Sequence, residues 1–264
     1  MYLCLSYFSM FKKSGDTLTM KSYKNPEFLN SKEARTLRIL AEYLEPEKRF
    51  NDYNIMHTVV FFGSARIKPD DDKLTSRYYW AAEELAYLIA SWGKKHEKTG
   101  NGVYICTGGG PGIMEAANRG AHRANARNIG LNISIPQEQV VNKYISPELN
   151  LEFHYFFMRK LWFLYQAKAL IFFPGGYGTL DELFESLTLM QTRKLQKWTL
   201  PVLLYDREYW EDVLNFDKLV KYKLISPEDL DLIHFFSDPQ EGFDYLKPEM
   251  EKIILEVEHD ISGK

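Results

Sequence analysis

The sequence predicts an α/β fold: a doubly wound parallel sheet with helices on both faces, preceded by an N-terminal helical arm. Short apolar runs alternate along the chain with longer segments of helical periodicity. Three of those runs end in glycine-containing turns, at residues 63–66, 108–112 and 175–179. Alternation of this kind implies right-handed βαβ crossovers and strands buried on both faces. The 264 residues suffice for one large domain with a terminal extension, and 45% apolar with 26% charged residues is ordinary for a globular chain.

The first ten residues, MYLCLSYFSM, are apolar, but too short for a membrane span and without a basic segment before them. Residues 11–30 are polar and irregular. Ser31 is placed to cap a helix whose apolar stripe is Leu37, Leu40, Ala41 and Leu44, ending near Glu45-Pro46. Residues 1–56 therefore form the arm, and 57–264 the domain.

In the domain, strands are expected at 58–62, 102–106, 129–135 (closed by Pro136), 151–156, 169–173, 201–205 and 233–236. Helices are expected over Tyr78, Ala82, Leu85, Ala86 and Ile89, then at 113–125, 158–167, 179–190, from about Arg207, and at 239–257. In such a sheet, ligands bind outside the carboxyl ends of the strands, at the point where strand order reverses. The three glycine turns should converge there.

The richest of them is Pro174-Gly-Gly-Tyr-Gly-Thr-Leu-Asp-Glu182, which turns from a buried strand into a helix. Its glycines let the backbone approach a ligand closely, and the free N–H groups and dipole at the helix start favour an anion. Thr179 adds a hydroxyl donor, and Glu182 lies in the first turns. Acids are favourable there on structural grounds alone; the glycines ahead of Glu182 tip the reading toward function. The second turn, Gly108-Gly-Gly-Pro-Gly112, opens another helix, but it fits neither a dinucleotide fingerprint, since Ile113 stands where a third glycine belongs, nor a Walker loop. Two such turns in one sheet together point to phosphate binding.

Arg159-Lys160 opens a helix, where cations are disfavoured unless an anion compensates. A ligand phosphate or Glu182 would supply one, and Arg66 fits the same polar mouth. The six histidines lack metal-ligand spacing, and His154 reads as a core or pocket-wall residue. Cys4 and Cys106 suggest neither a disulfide framework nor a metal site. A net charge of -3 argues against a nucleic-acid polymer or a membrane surface as partner. The chain reads as cytoplasmic, and nothing in it calls for a metal or cofactor.

These motifs, PGGYGTLDE behind Arg159-Lys160 and GGGPGIMEAANRGA, closely resemble the LOG family over about residues 57–257. Its members are nucleoside 5′-monophosphate phosphoribohydrolases, some of which activate cytokinins, and many were labelled possible lysine decarboxylases. The resemblance implies a Rossmann-like fold and hydrolysis of the N-glycosidic bond of AMP or an N6-substituted AMP to free base and ribose 5-phosphate. It implies Arg159 and Glu182 as the catalytic pair. Gly175, Gly176, Gly178 and Thr179 would hold the phosphate, with Gly109 and Gly110 lining the nucleotide site and Glu115 in the second motif; the residues themselves add Arg66 and Lys160 as phosphate-binding candidates and Met158 at the border of a base pocket. It further implies a homodimer or higher oligomer with sites near the interface, supported by the apolar helix faces around Trp162 and Leu183. Phe156-Phe-Met-Arg-Lys160 departs from the Met-His-x-Arg-Lys of cytokinin-activating members and resembles a broader bacterial branch. The alternative is a non-catalytic nucleotide-binding or sensing protein. An NAD-dependent oxidoreductase is weakened by Ile113, and lysine decarboxylation by the lack of a placeable cofactor-bearing lysine.

Overall fold

A computed structural model of the chain describes residues 20–134, 141–194 and 200–262, with side chains described up to Lys252. The first ten residues and the expected strand end at Ile135 and Pro136 lie outside the described residues. By compactness the chain divides into two units, Met1–Ala41 and Glu42–Lys264.

In the first unit, Asn25 caps the short helix α1 (Pro26–Leu29) by accepting the N–H groups of Glu27 and Phe28. The main helix of the arm, α2, covers Arg35–Asp52; it begins four residues after Ser31, which therefore does not cap it as expected, and it runs through Pro46. A proline inside a helix cannot donate to the carbonyl four residues back. Here that carbonyl belongs to Glu42, and the indole N–H of Trp162 donates to it at 3.0 Å, so the tertiary fold supplies the missing donor. The Glu42 carboxylate also accepts the N–H groups of His154 and Tyr155, at the start of a later helix. The expected stripe does not face a core: Leu37, Leu40 and Leu44 are each about half exposed.

Among the described residues, β1 (His57–Phe62), β2 (Val103–Thr107), β3 (Asn128–Ile133), β4 (Asn150–Phe153), β5 (Ala167–Phe172), β6 (Val202–Tyr205) and β7 (Ile233–Phe236) form one sheet. All pairings are parallel and the order is β4-β3-β2-β1-β5-β6-β7. The order reverses between β1 and β5, where a doubly wound sheet opens its ligand crevice.

The apolar runs are continuous because successive side chains enter different cores. Val59 and Phe61, with Ala169, Ile171 and Phe173, pack under α3 (Lys73–Gly93), α4 (Ile113–Arg123) and α9 (Pro239–Ser262). Phe62 and Phe172 instead stack on each other, and Phe163 of α5 (Phe156–Tyr165) meets Phe62 edge-on. Trp162 of α5 is held by Tyr43 and Phe50 of α2. Trp162 and Leu183, expected to mark an interface, are buried within one chain. The remaining helices are α6 (Tyr177–Gln191), α7 (Arg207–Val213) and α8 (Phe216–Lys221). Among the described residues no helix is long and apolar enough to cross a membrane.

Candidate functional site

Three loops close on one another at the reversal point. Ser64, after β1, donates its N–H to the Pro174 carbonyl, and the Ser64 carbonyl accepts the N–H of Ile113 at the start of α4. A cavity of about 820 Å³ lies over this junction. Its floor comes from residues 63–66 and Gly108, its polar wall from residues 175–179, Arg159 and Glu182, and its apolar wall from Phe62, Met114, Ile133, Phe156, Phe163 and Val213. That volume suits a nucleotide-sized ligand.

The loop after β5 leads directly into α6. Gly176, Tyr177 and Gly178 are exposed while Thr179 is buried, so the helix start faces the cavity with its backbone bare. Gly175 must be glycine because a Cβ there would lie 2.1 Å from the Thr179 hydroxyl oxygen. The loop after β2 is built differently. Gly108, Gly109 and Gly110 are all buried, and only Gly108 reaches the cavity. Gly109 has φ +72°, and an added Cβ would meet the Asn132 amide oxygen at 2.1 Å. A buried amide network fixes this loop: Asn142 donates to the carbonyls of Gly109 and Gly110 and to Asn118, whose own amide nitrogen donates to Asn128 and to the Ile129 carbonyl.

Arg159 sits in the first turn of α5 and is buried, its guanidinium donating to the carbonyls of Leu131 (2.7 Å) and Gly108 (3.4 Å). Those oxygens offset the cation where the helix start disfavours it. Burial lowers the Arg159 pKa, and the Glu182 charge works against that shift. Burial pushes Glu182 up to about 7, with nearby Arg159 pulling the other way. Among the described residues no direct ion pair joins the two, so they couple across the cavity.

The structure thus brings Arg66, Arg159, Gly175, Gly176, Gly178, Thr179 and Glu182 into one cavity. It places the other expected residues elsewhere. Lys160 bonds Asp181 (2.8 Å) and Glu185 (3.0 Å) on the outer face of α6. Glu115 accepts the Tyr79 hydroxyl at 3.0 Å. Met158 is buried beside the cavity without lining it, and Gly109 and Gly110 turn toward Asn132 and Asn142. His154 is exposed and edge-on to Tyr155, neither core nor pocket wall. Met114, Phe156, Phe163 and Val213 were not anticipated, whereas Ser64 belongs to the 63–66 turn expected at the site. Phe156 was within reach of the sequence, since it lies beside Arg159; Val213 is on α7 and carries no local signal.

A family model described as possible lysine decarboxylase matches residues 114–246, just over half of the chain. A probable cytokinin riboside 5′-monophosphate phosphoribohydrolase, LOGL5 of Oryza sativa subsp. japonica, is 29% identical over 150 residues, 55% of this chain and 58% of that protein. The cytokinin riboside 5′-monophosphate phosphoribohydrolase LOG7 of Arabidopsis thaliana is 32% identical over 124 residues, 46% of this chain and 54% of that protein. The chain thus spans little more than half the length of these curated relatives. Among solved structures, the structural-genomics protein TM1055 superposes with a TM-score of 0.51 at 20% identity, over 73% of this chain and 99% of that one. The molybdenum cofactor carrier protein of Chlamydomonas reinhardtii gives 0.50 at 19%, over 74% and 98%. These structural likenesses concern the fold, which is Rossmann-like. Motifs, topology and family match agree, and the chain belongs to the family described as possible lysine decarboxylase, the LOG family.

Proposed function

We propose that the cavity hydrolyses the N-glycosidic bond of a nucleoside 5′-monophosphate, AMP or an N6-substituted AMP, to free base and ribose 5-phosphate. One observation carries this reading: a half-buried carboxylate with its pKa raised to about 7, Glu182, shares a cavity with a bare helix start and a buried arginine. The 5′-phosphate lies at the start of α6, against the exposed N–H groups of the glycine loop, with Arg66 at the mouth. The base lies along the apolar wall formed by Phe62, Phe163 and Ile133.

This places the ribose near Glu182. As the bond from C1′ to the base nitrogen breaks, its electron pair leaves with the base and positive charge builds on C1′ and the ring oxygen. The Glu182 carboxylate stabilises that charge and accepts a proton from the attacking water, while the departing base takes up a proton. Arg159 favours the ionised form of Glu182 and adds positive charge near the phosphate. The catalytic domain is residues 57–264. It works as a homodimer or higher oligomer, which would cover Phe157, Leu161 and Tyr165 of α5 and Phe184 of α6, all exposed in the single chain. The 27–32% identity of the curated relatives supports this reaction class and leaves the base to experiment.

The test is turnover of AMP by the wild type and by Glu182→Gln. The glutamine keeps the shape but cannot take a proton, so base release should fall by about 10²–10⁴-fold while AMP binding and the fold are retained. Release within about tenfold of wild type would remove Glu182 from the chemistry. AMP binding without release by the wild type would favour the sensing protein.

A further inference from the structure

The phosphate loop has a second holder on the side away from the cavity. Tyr209 of α7 donates its hydroxyl to the Gly175 carbonyl at 2.7 Å and accepts the Gly175 N–H at 3.3 Å. Both polar groups of this one glycine therefore end on a single phenol. Tyr209 does not line the main cavity. It borders a separate cleft behind the loop with Ser64, Thr75, Arg77, Tyr78 and Asp206.

What holds Tyr209 is itself anchored. Asp206, between β6 and α7, has φ 70°, a conformation a non-glycine residue adopts only when its surroundings insist. Its carboxylate accepts from Arg77 (2.7 Å) and from the Tyr78 hydroxyl (2.6 Å), both on α3, and its N–H donates to the Phe236 carbonyl. Trp210, fully buried, bonds the Tyr205 carbonyl at 2.9 Å and fixes the next residue of the helix. Ordinary loop packing does not require a strained backbone, a buried indole and a paired carboxylate behind one hydroxyl.

We propose that Tyr209 is a positioning residue for 5′-phosphate recognition. It occupies the Gly175 N–H and carbonyl, holding the loop so that the N–H groups after Gly175 point into the cavity. This inference rests on the reading of the cavity as a nucleotide site. It assigns the Gly175 N–H to Tyr209 and leaves the phosphate to the following residues. It also ties phosphate affinity to α7, which delivers Val213 to the same cavity.

The experiment compares wild type with Tyr209→Phe, which loses one hydroxyl and keeps the ring. Affinities for AMP, ribose 5-phosphate and adenosine are measured by calorimetry, and kcat and KM for AMP by base release. The expected result is a folded variant whose affinity for AMP and ribose 5-phosphate drops about tenfold, the worth of a lost hydrogen bond. KM should rise to match, with kcat and adenosine affinity little changed. Unchanged AMP affinity, or equal losses for AMP and adenosine, would overturn the proposal. Should the wild type bind AMP but release no base, the hydrolase reading falls, and the binding arms still decide the role of Tyr209. Hydrogen exchange on the ligand-free wild type gives a reading that needs no variant: a protected Gly175 amide supports the clamp, and a freely exchanging one overturns it.

Discussion

The two glycine-rich loops look alike in sequence and differ in almost every physical respect. Residues 108–110 are buried, and the Asn142 amide, itself bonded to Asn118, donates to the carbonyls of Gly109 and Gly110. Residues 176–178 are exposed, line the cavity, and take support from behind through Tyr209 on Gly175 and Ser64 on Pro174. Glycine serves the first loop by allowing a positive φ and close packing, and the second by leaving backbone bare for a ligand. The difference teaches that glycine content marks where a chain passes close to something, and burial shows whether that something is protein or ligand.

The comparison is broken most sharply at Asn118. Replacing it with leucine removes the acceptor of the Thr107 hydroxyl and the donor to the Asn128 amide oxygen in a buried site. Each such group costs about 1–3 kcal/mol, so chemical denaturation should show a loss of at least ~2 kcal/mol. A loss under about 0.5 kcal/mol, the usual range for a surface change, would mean the network does not hold the first loop.

A pair of alanine substitutions sharpens the contrast. Gly109→Ala must adopt φ +72° against the Asn132 amide, and should lower stability by about 1–3 kcal/mol. Gly176→Ala meets nothing within 4 Å in the protein, so stability should stay within about 0.5 kcal/mol while KM for AMP rises. Equal melting temperatures for the two variants would erase the distinction between the loops.

The smallest effect is a pH signature at Glu182. Its carboxyl titrates near 7 when folded and well below that when unfolded, so activity should climb with pH to a plateau above about 7. The folded state then holds the extra proton between the two values, and stability falls as pH rises through that window. Glu182→Gln carries no such penalty. It should melt above wild type at pH 8, and lose that advantage at pH 4, where both side chains are neutral.

Much of the fold was legible because buried parallel strands write themselves as unbroken apolar runs; 233–236 was read to the residue, and most of the others to within one or two. The helix through Pro46 was not, because the donor that replaces the missing N–H, Trp162, lies far along the chain. The site divides the same way. Glu182, Thr179 and the exposed glycines follow one strand end, and local sequence places them. Lys160 next to Arg159 looked like a partner in the site, yet one helical step sends it to Asp181 and Glu185 on the outside. Tyr209 and Asn142 act on the loops from later segments, with no periodicity to announce them.

The measurement that tests the central claim most directly is base release from a panel of nucleoside 5′-monophosphates beside the matching nucleosides. The exposed loop is assigned the phosphate, so release should occur from AMP or an N6-substituted AMP, with ribose 5-phosphate as the second product, and not from adenosine. Equal release from nucleotide and nucleoside, or no release from any member of the panel, would contradict it.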